Sequence, residues 1–295
     1  MTHDNPLTSK RGFWIVVGLL ALFVVCVTSS TFTSMYTDFL WFETLNFEQI
    51  FLRRLWARIG LSVASAVIAI AYLTLNWSLL PYWIAPKDAI TKKNPFQTRT
   101  GGKTSNKTLT ISTKPIRLLF TLGAVVVGLV VGLTFGQFWR PYLLATHGLP
   151  FNLKDPVFDR DLSFYVFSLP WFQLLLGRVQ ILLILGLIGV LGRYLLFGQI
   201  RSPRVIAHLS LMGSAWLVIM GVERYLSRFK LLQSDFGVVF GAGYTDVHAR
   251  LPLFTIEAVL FVVAAVILIV NLFSRQWKLL LGIGIFWIGL SLTWA

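Results

Sequence analysis

The chain has 295 residues, 56% of them hydrophobic and only 13% charged, with a mean hydropathy of +0.74. A soluble domain carries about 25% charged residues, so a water-soluble globule of this composition would lack the polar surface to cover itself. The formal charge of +14 is better read as topology than as nucleic-acid affinity, because Lys and Arg gather in the cytoplasmic loops of membrane proteins. The single cysteine, Cys26, excludes intrachain disulfides and Cys-based zinc sites.

The apolar residues come in blocks of roughly 17–25, the length that crosses a bilayer core as a helix. They predict an all-α membrane protein: a bundle of about seven transmembrane helices with interfacial or re-entrant outer loops, forming a single polytopic membrane domain over residues 1–295. The first helix covers residues 13–30, where Lys10 and Arg11 precede FWIVVGLLALFVVCV. That run is long for a signal-peptide core and no small-residue cleavage site follows it, so it reads as a retained signal anchor. The second helix covers 56–83. Between the two lies YTDFLWFETLNFEQIFLRR, too polar and too aromatic to face lipid throughout.

Residues 84–117 form the one long hydrophilic stretch, with Lys87, Lys92, Lys93, Arg99, Lys103, Lys107, Lys114 and Arg117 against Asp88. Their composition marks a mobile loop with a short hairpin at LTIS, on the cytoplasmic side. Anionic lipid headgroups are its expected partner. It lacks the aromatic platforms on which single-stranded nucleic acid stacks, so no nucleic acid is expected. Further helices are predicted at 118–138, 171–197, 205–222, 253–273 and 279–295.

Seven helices with that loop inside place the N terminus in the cytoplasm. The other inner segments hold Lys10, Arg11, Arg193, Arg201, Arg204, Arg275 and Lys278 against Asp4, whereas the outer segments mix acids and bases. The chain is then expected to leave the membrane on the outer face. It stops at SLTWA with no interfacial tail, which suggests the front part of a longer protein.

Three outer motifs follow in order: YTDFLWFETL, DPVFDRDLSFYVFSLP and GAGYTDVHARLP. Together, and between helices so placed, they resemble the bacterial uncharacterised protein family 0182 over nearly the whole chain. The resemblance implies a multi-pass protein of the bacterial cytoplasmic membrane, or another energy-transducing membrane of the cell, whose seven helices precede a large extracytoplasmic domain. It implies no activity.

Asp155, Asp159 and Asp161 would suit a hard cation through their carboxylate oxygens. They do not fit an EF-hand, because Arg160 occupies the sharp-turn position. The plainer reading has Asp155-Pro156 opening a turn, with the carboxylates capping a short helix or pairing with Arg160 and Lys154. FYVFSLPWF would then be an interfacial segment, with Pro170 opening a helix.

Tyr244, Asp246, His248 and Arg250 alternate, so an extended segment would put all four on one face. That face could grip an anion, but docking of an outer domain is the favoured use. Arg178 and Glu257 fall inside predicted helices and Glu223 ends one, all toward the outer leaflet, where they could meet as a structural ion pair or as an ion relay. Gly128, Gly132 and Gly136 line one helix face as a double GxxxG, a packing or oligomer surface.

There is no phosphate loop, H-E-x-x-H or G-x-S-x-G, and the two outer histidines, His147 and His248, with scattered acids make only a weak metal signal. No cofactor and no metal are expected, and an enzyme using Asp246 and His248 ranks last. The leading expectation is a membrane anchor and assembly scaffold that holds an outer domain or partner through segments 36–52, 140–170 and 229–252. The alternative is a transporter or channel using Arg178, Glu223 and Glu257.

Overall fold

A computed structural model describes residues 29, 32–84, 113–233 and 241–292. The helix expected at 13–30 and the basic loop with its LTIS hairpin thus lie outside the described residues, apart from Ser29 and the loop's ends. The fold is all-α. Among the described residues no strand forms, and the extended pairing is one isolated antiparallel bridge between Lys154 and Asp161.

The chain packs as two compact units, Met1–Ala57 and Arg58–Ala295. In the first unit, residues 32–44 form helix α1. The N–H of Phe47 returns to the Phe42 carbonyl and that of Asn46 to Glu43, with Asn46 at φ 58°. This is the left-handed C-terminal cap that Asn tolerates. Helix α2 starts at once, at Glu48, eight residues before the sequence-based start near 56. Phe51 on α2 is buried between Phe39 and Phe42, at ring distances of 5.6 and 5.8 Å, and Arg54 pairs with Asp38 at 3.8 Å. The aromatic-acidic stretch is therefore a helical hairpin.

α2 continues through Thr74, a π turn over Leu75–Leu79 and a last turn over Leu80–Ile84. α3 covers Thr113–Phe135; a 3-10 turn over Gly136–Phe138 joins it to α4, Trp139–His147. α5 covers Leu169–Leu196, α6 Pro203–Lys230, α7 Leu251–Ser274 and α8 Trp277–Leu292. Five of these helical stretches, Glu48–Ile84, Pro115–His147, Phe164–Leu196, Pro203–Gln233 and Asp246–Ser274, are long and apolar enough to cross a membrane, and Trp277–Gly289 is a shorter apolar helix. The protein is a multi-pass membrane protein. α6 runs to Lys230 where the sequence suggests an end near 222, because RYLSRFK places Leu226 and Phe229 against Tyr165 and Leu169.

Hydrophobicity does not drive helices together in lipid, so close contact rests on small residues and polar links. The double GxxxG of α3 lies on α2. A Cβ at Gly132 would stand 2.7 Å from the Ser62 carbonyl oxygen, and one at Gly136 2.8 Å from that of Arg58. The glycine face is therefore consumed by packing within the chain. α6 and α7 share the most extensive interface, with Leu217, Phe261, Ala264, Ala265 and Leu268 at its core and Trp287 of α8 closing over Trp216 at 5.0 Å.

Two turns fix the neighbouring hairpins. After α5, Gln199 N–H returns to the Tyr194 carbonyl and Gly198 N–H to Leu195, with Gly198 at φ 65°; this is a Schellman cap. After α7, Asn271 holds the turn internally: its Oδ1 accepts from Gln276 N–H at 2.8 Å, and its Nδ2 reaches Ser210 of α6 at 3.0 Å. These two turns and the last residues of α2 make one end of the second unit, called here the hairpin end. The starts of α5 and α7 and the end of α6 make the other, the collar end.

Candidate functional site

Among the described residues three π turns interrupt the helices, and each is followed by Leu-Pro: Leu75–Leu79 before Leu80-Pro81, Phe164–Ser168 before Leu169-Pro170, and Asp246–Arg250 before Leu251-Pro252. The leucine N–H reaches back five residues in all three, to Leu75, Phe164 and Asp246. The proline that follows has no N–H, so a carbonyl four or five residues earlier loses its helical donor. Side chains from other elements supply replacements in two cases. Arg193 Nη1 donates to the Trp77 carbonyl, four residues before Pro81. Gln233 Nε2 donates to the Tyr165 carbonyl, five before Pro170, at 3.2 Å.

The first of these turns opens a buried polar network at the hairpin end. Asn76, Ser78, Arg193 and His208 are all at most 7% exposed, and Tyr194 is 1% exposed. Asn76 Nδ2 donates to the Tyr72 carbonyl at 2.7 Å, which leaves its Oδ1 facing His208 Nε2 at 3.1 Å. Nε2 must then carry the proton, and Nδ1 accepts from the Tyr194 hydroxyl at 2.9 Å. Ser78 and Thr121 hydroxyls join at 2.8 Å, and the Arg193 guanidinium lies over the rings of Phe120 and Phe197. α2, α3, α5 and α6 thus meet through polar groups, each with a defined partner. Ionisable groups at membrane depth are costly and mark functional positions or the polar links of a bundle.

At the collar end the three aspartates do different work. Asp155 is 5% exposed. Its Oδ1 accepts from Val157 N–H at 2.9 Å and Phe158 N–H at 2.6 Å, its Oδ2 from Arg160 N–H at 3.0 Å and the Tyr165 hydroxyl at 2.8 Å. Four donors occupy the four lone-pair sites of a carboxylate and leave none for a cation. Burial pushes the Asp155 carboxyl up, but the bonds from Phe158, Tyr165, Arg160 and Val157 outweigh it and hold it below the ordinary value. Asp161 accepts from the N–H groups of Phe151, Asn152 and Ser163, capping the helix that follows. Bonding to Ser163, then to Phe151 and Asn152, brings its carboxyl down to about 2. Asp159, at φ 54°, pairs with Lys154 at 3.0 Å.

Around them Phe158, Phe164 and Tyr165 pack on Phe229 at ring distances of 4.7, 5.3 and 6.2 Å. The aspartates are thus the framework of a loop, and its apolar side chains Leu149, Phe151 and Leu153 face outward, 77, 44 and 62% exposed.

The segment carrying Tyr244, Asp246, His248 and Arg250 is helical, correcting the extended reading: residues 244–245 and the π turn Asp246–Arg250 run directly into α7. Asp246 is the reason. Its carboxylate accepts Gly243 N–H at 2.9 Å and the Arg250 guanidinium at 3.0 Å, tying the start of the turn to its end. The four side chains therefore pair four residues apart. His248 stacks on Tyr244 at 4.0 Å, and Tyr244 is 79% exposed. Among the described residues no three His, Cys, Asp or Glu side chains converge on a common point.

The three intramembrane charges take separate partners. Arg178 lies over the Phe138 ring at 4.6 Å. Glu223 accepts from Gln180 Nε2. Glu257, buried on α7, pairs with Arg224 of α6 at 3.7 Å. Sequence reasoning missed Arg224 as the partner of Glu257, and it missed the Asn76–His208–Tyr194 network altogether. Leu-Pro, present at 80–81, 169–170 and 251–252 and also at 149–150 where no π turn precedes it, was the available signal.

Residues 14–294 match the family described as Uncharacterised protein family (UPF0182). A UPF0182 protein of Frankia casuarinae is 33% identical over 96% of this chain, which covers 28% of that protein. One of Kocuria rhizophila is 34% identical over 90% of the chain and 26% of its own length, and one of Desulforamulus reducens 30% identical over 83% and 28%. The chain thus spans just over a quarter of the length of these relatives. No solved structure matches it.

Proposed function

The chain belongs to the uncharacterised protein family UPF0182, and on that premise we propose that its helical bundle is a membrane anchor and assembly scaffold, holding an extramembrane domain or partner protein at the collar. The observation that carries this reading is the collar loop itself. The carboxylates of Asp155 and Asp161 are spent on its own backbone, which makes the loop a fixed platform, while Leu149, Phe151 and Leu153 offer apolar surface. A rigid apolar surface rimmed by polar groups suits protein docking. The reading assigns the collar no catalytic step.

The same proposal sets the protein in the bacterial cytoplasmic membrane with the N terminus and the hairpin end in the cytoplasm. Arg117, Arg193, Arg201, Arg204, Arg275 and Lys278 gather at the hairpin end, in keeping with the positive-inside rule. The test is a photo-crosslinking residue at Leu153, activated in native membranes. One extramembrane polypeptide cross-linked there, and lost on Phe151→Asp, is the expected result. Cross-links to lipid alone would remove the scaffold reading.

Buried Glu257 favours a second reading, transport, because a carboxylate at membrane depth is costly to keep. Glu257→Gln would then leave the protein folded and abolish proton-coupled flux in vesicles. Absence of any flux from the wild-type protein rules this reading out.

A further inference from the structure

The hairpin end, among its described residues, gathers cations without carboxylates. Among the described residues of the second unit, every Asp and Glu lies at the collar end or in the outer turns of α6 and α7: Asp155, Asp159, Asp161, Glu223, Asp246 and Glu257. Arg193 spends its charge on the carbonyls of Trp77 and Ser78. Others do not. Arg201 and Arg204, in the turn from α5 and at the start of α6, and Lys278, at the start of α8, are exposed and make no hydrogen bond or ion pair among the described residues.

The two turns are linked. The Asn271–Ser210 bond ties the α7–α8 turn to α6, and the Arg201 guanidinium lies over the Trp277 ring at 5.6 Å. Stacking of that kind engages the flat face of a guanidinium and leaves its edge N–H groups directed outward. Trp277 itself is 43% exposed at the first turn of α8, and an indole at the end of a membrane helix sits at headgroup depth.

We propose that Arg201, Trp277 and Lys278, with Arg204 beside them, form a binding site for the phosphate diester of an anionic phospholipid. Arg201 takes the phosphate in the plane of its fork, Lys278 adds a second charge, and Trp277 packs along the glycerol and upper acyl chain. Among the described residues, carboxylates that would compete for these cations are absent from both turns, and the phosphate supplies a counter-charge. The inference rests on the membrane-spanning fold and is independent of the scaffold reading.

The test uses the full chain, purified in mild detergent, in native mass spectrometry with dioleoyl phosphatidylglycerol or dioleoyl phosphatidylcholine added. The wild-type protein should retain phosphatidylglycerol roughly thirtyfold more tightly, as expected for two cations near a headgroup surface. Arg201→Gln with Lys278→Gln should lose that preference, while Lys230→Gln at the collar end should keep it. Equal retention of the two lipids by the wild type overturns the proposal, and this comparison needs no variant to fold. Displacement of phosphatidylglycerol by inorganic phosphate alone would identify a free-anion site and overturn the lipid assignment as well.

Discussion

Arg193 of α5 donates to the carbonyl oxygen of Trp77 on α2, the group that Pro81 leaves without a helical donor. Removing the guanidinium strands a buried carbonyl, at a cost of about 1–3 kcal/mol. Arg193→Met should therefore lower stability in detergent by that amount. Pro81→Ala restores an N–H four residues after Trp77, so it should recover much of the loss in the Arg193→Met background. Thermal unfolding of the two single variants and the double variant checks the coupling. Purely additive effects would show that the proline and the arginine act independently.

His208 links Tyr194 and Asn76 through one neutral tautomer. In a membrane bundle such a side-chain link is worth about 1 kcal/mol. A double-mutant cycle with Asn76→Ala and His208→Ala should give a coupling of about that size. Zero coupling would mean that the two residues are neighbours without a shared bond.

The collar loop should be insensitive to pH near neutrality and weaken only in acid. The carboxyls of Asp155 and Asp161 are both held below the ordinary value, that of Asp161 at about 2. A group depressed in the folded state contributes fully above its unfolded value of about 3.9, and the contribution is lost as pH falls through the folded value. The loop should thus loosen between about pH 4 and pH 2. Carbon-13 titration of the aspartate carboxyls should place both midpoints below 3.9; a midpoint above that for Asp155 would contradict its four hydrogen bonds.

Gly132 sits where α3 lies close against the backbone of α2. An added methyl would stand 2.7 Å from the Ser62 carbonyl oxygen and would also meet Ala66. Backbone cannot yield as a flexible side chain does, so Gly132→Ala should cost about 1–3 kcal/mol. Gly192, whose Cβ would meet nothing within 4 Å, is the control, and Gly192→Ala should be near neutral or stabilising. Unfolding midpoints that do not separate the two variants would place the helix contact elsewhere.

The sequence by itself determined the class of molecule and the family. Apolar blocks of membrane-spanning length and a deficit of charge leave no soluble alternative, and α5 at Leu169–Leu196 and α7 at Leu251–Ser274 lie close to the positions their hydropathy suggests. Hydropathy reports only that a segment can lie in lipid. It cannot show that polar residues outside the apolar run continue the helix, so Glu48 at the start of α2, α4 and the end of α6 were legible only once their packing was known. Partner choice was equally hidden. Glu257 meets Arg224 and Arg178 meets Phe138 because rotation and register place them there, and these depend on which small residues let two helices approach. Asp155 and Asp246 were visible as unusual residues. That both fold their own backbone around their carboxylates was decided by donors brought in through the turn itself, a matter of three-dimensional geometry that linear spacing does not carry.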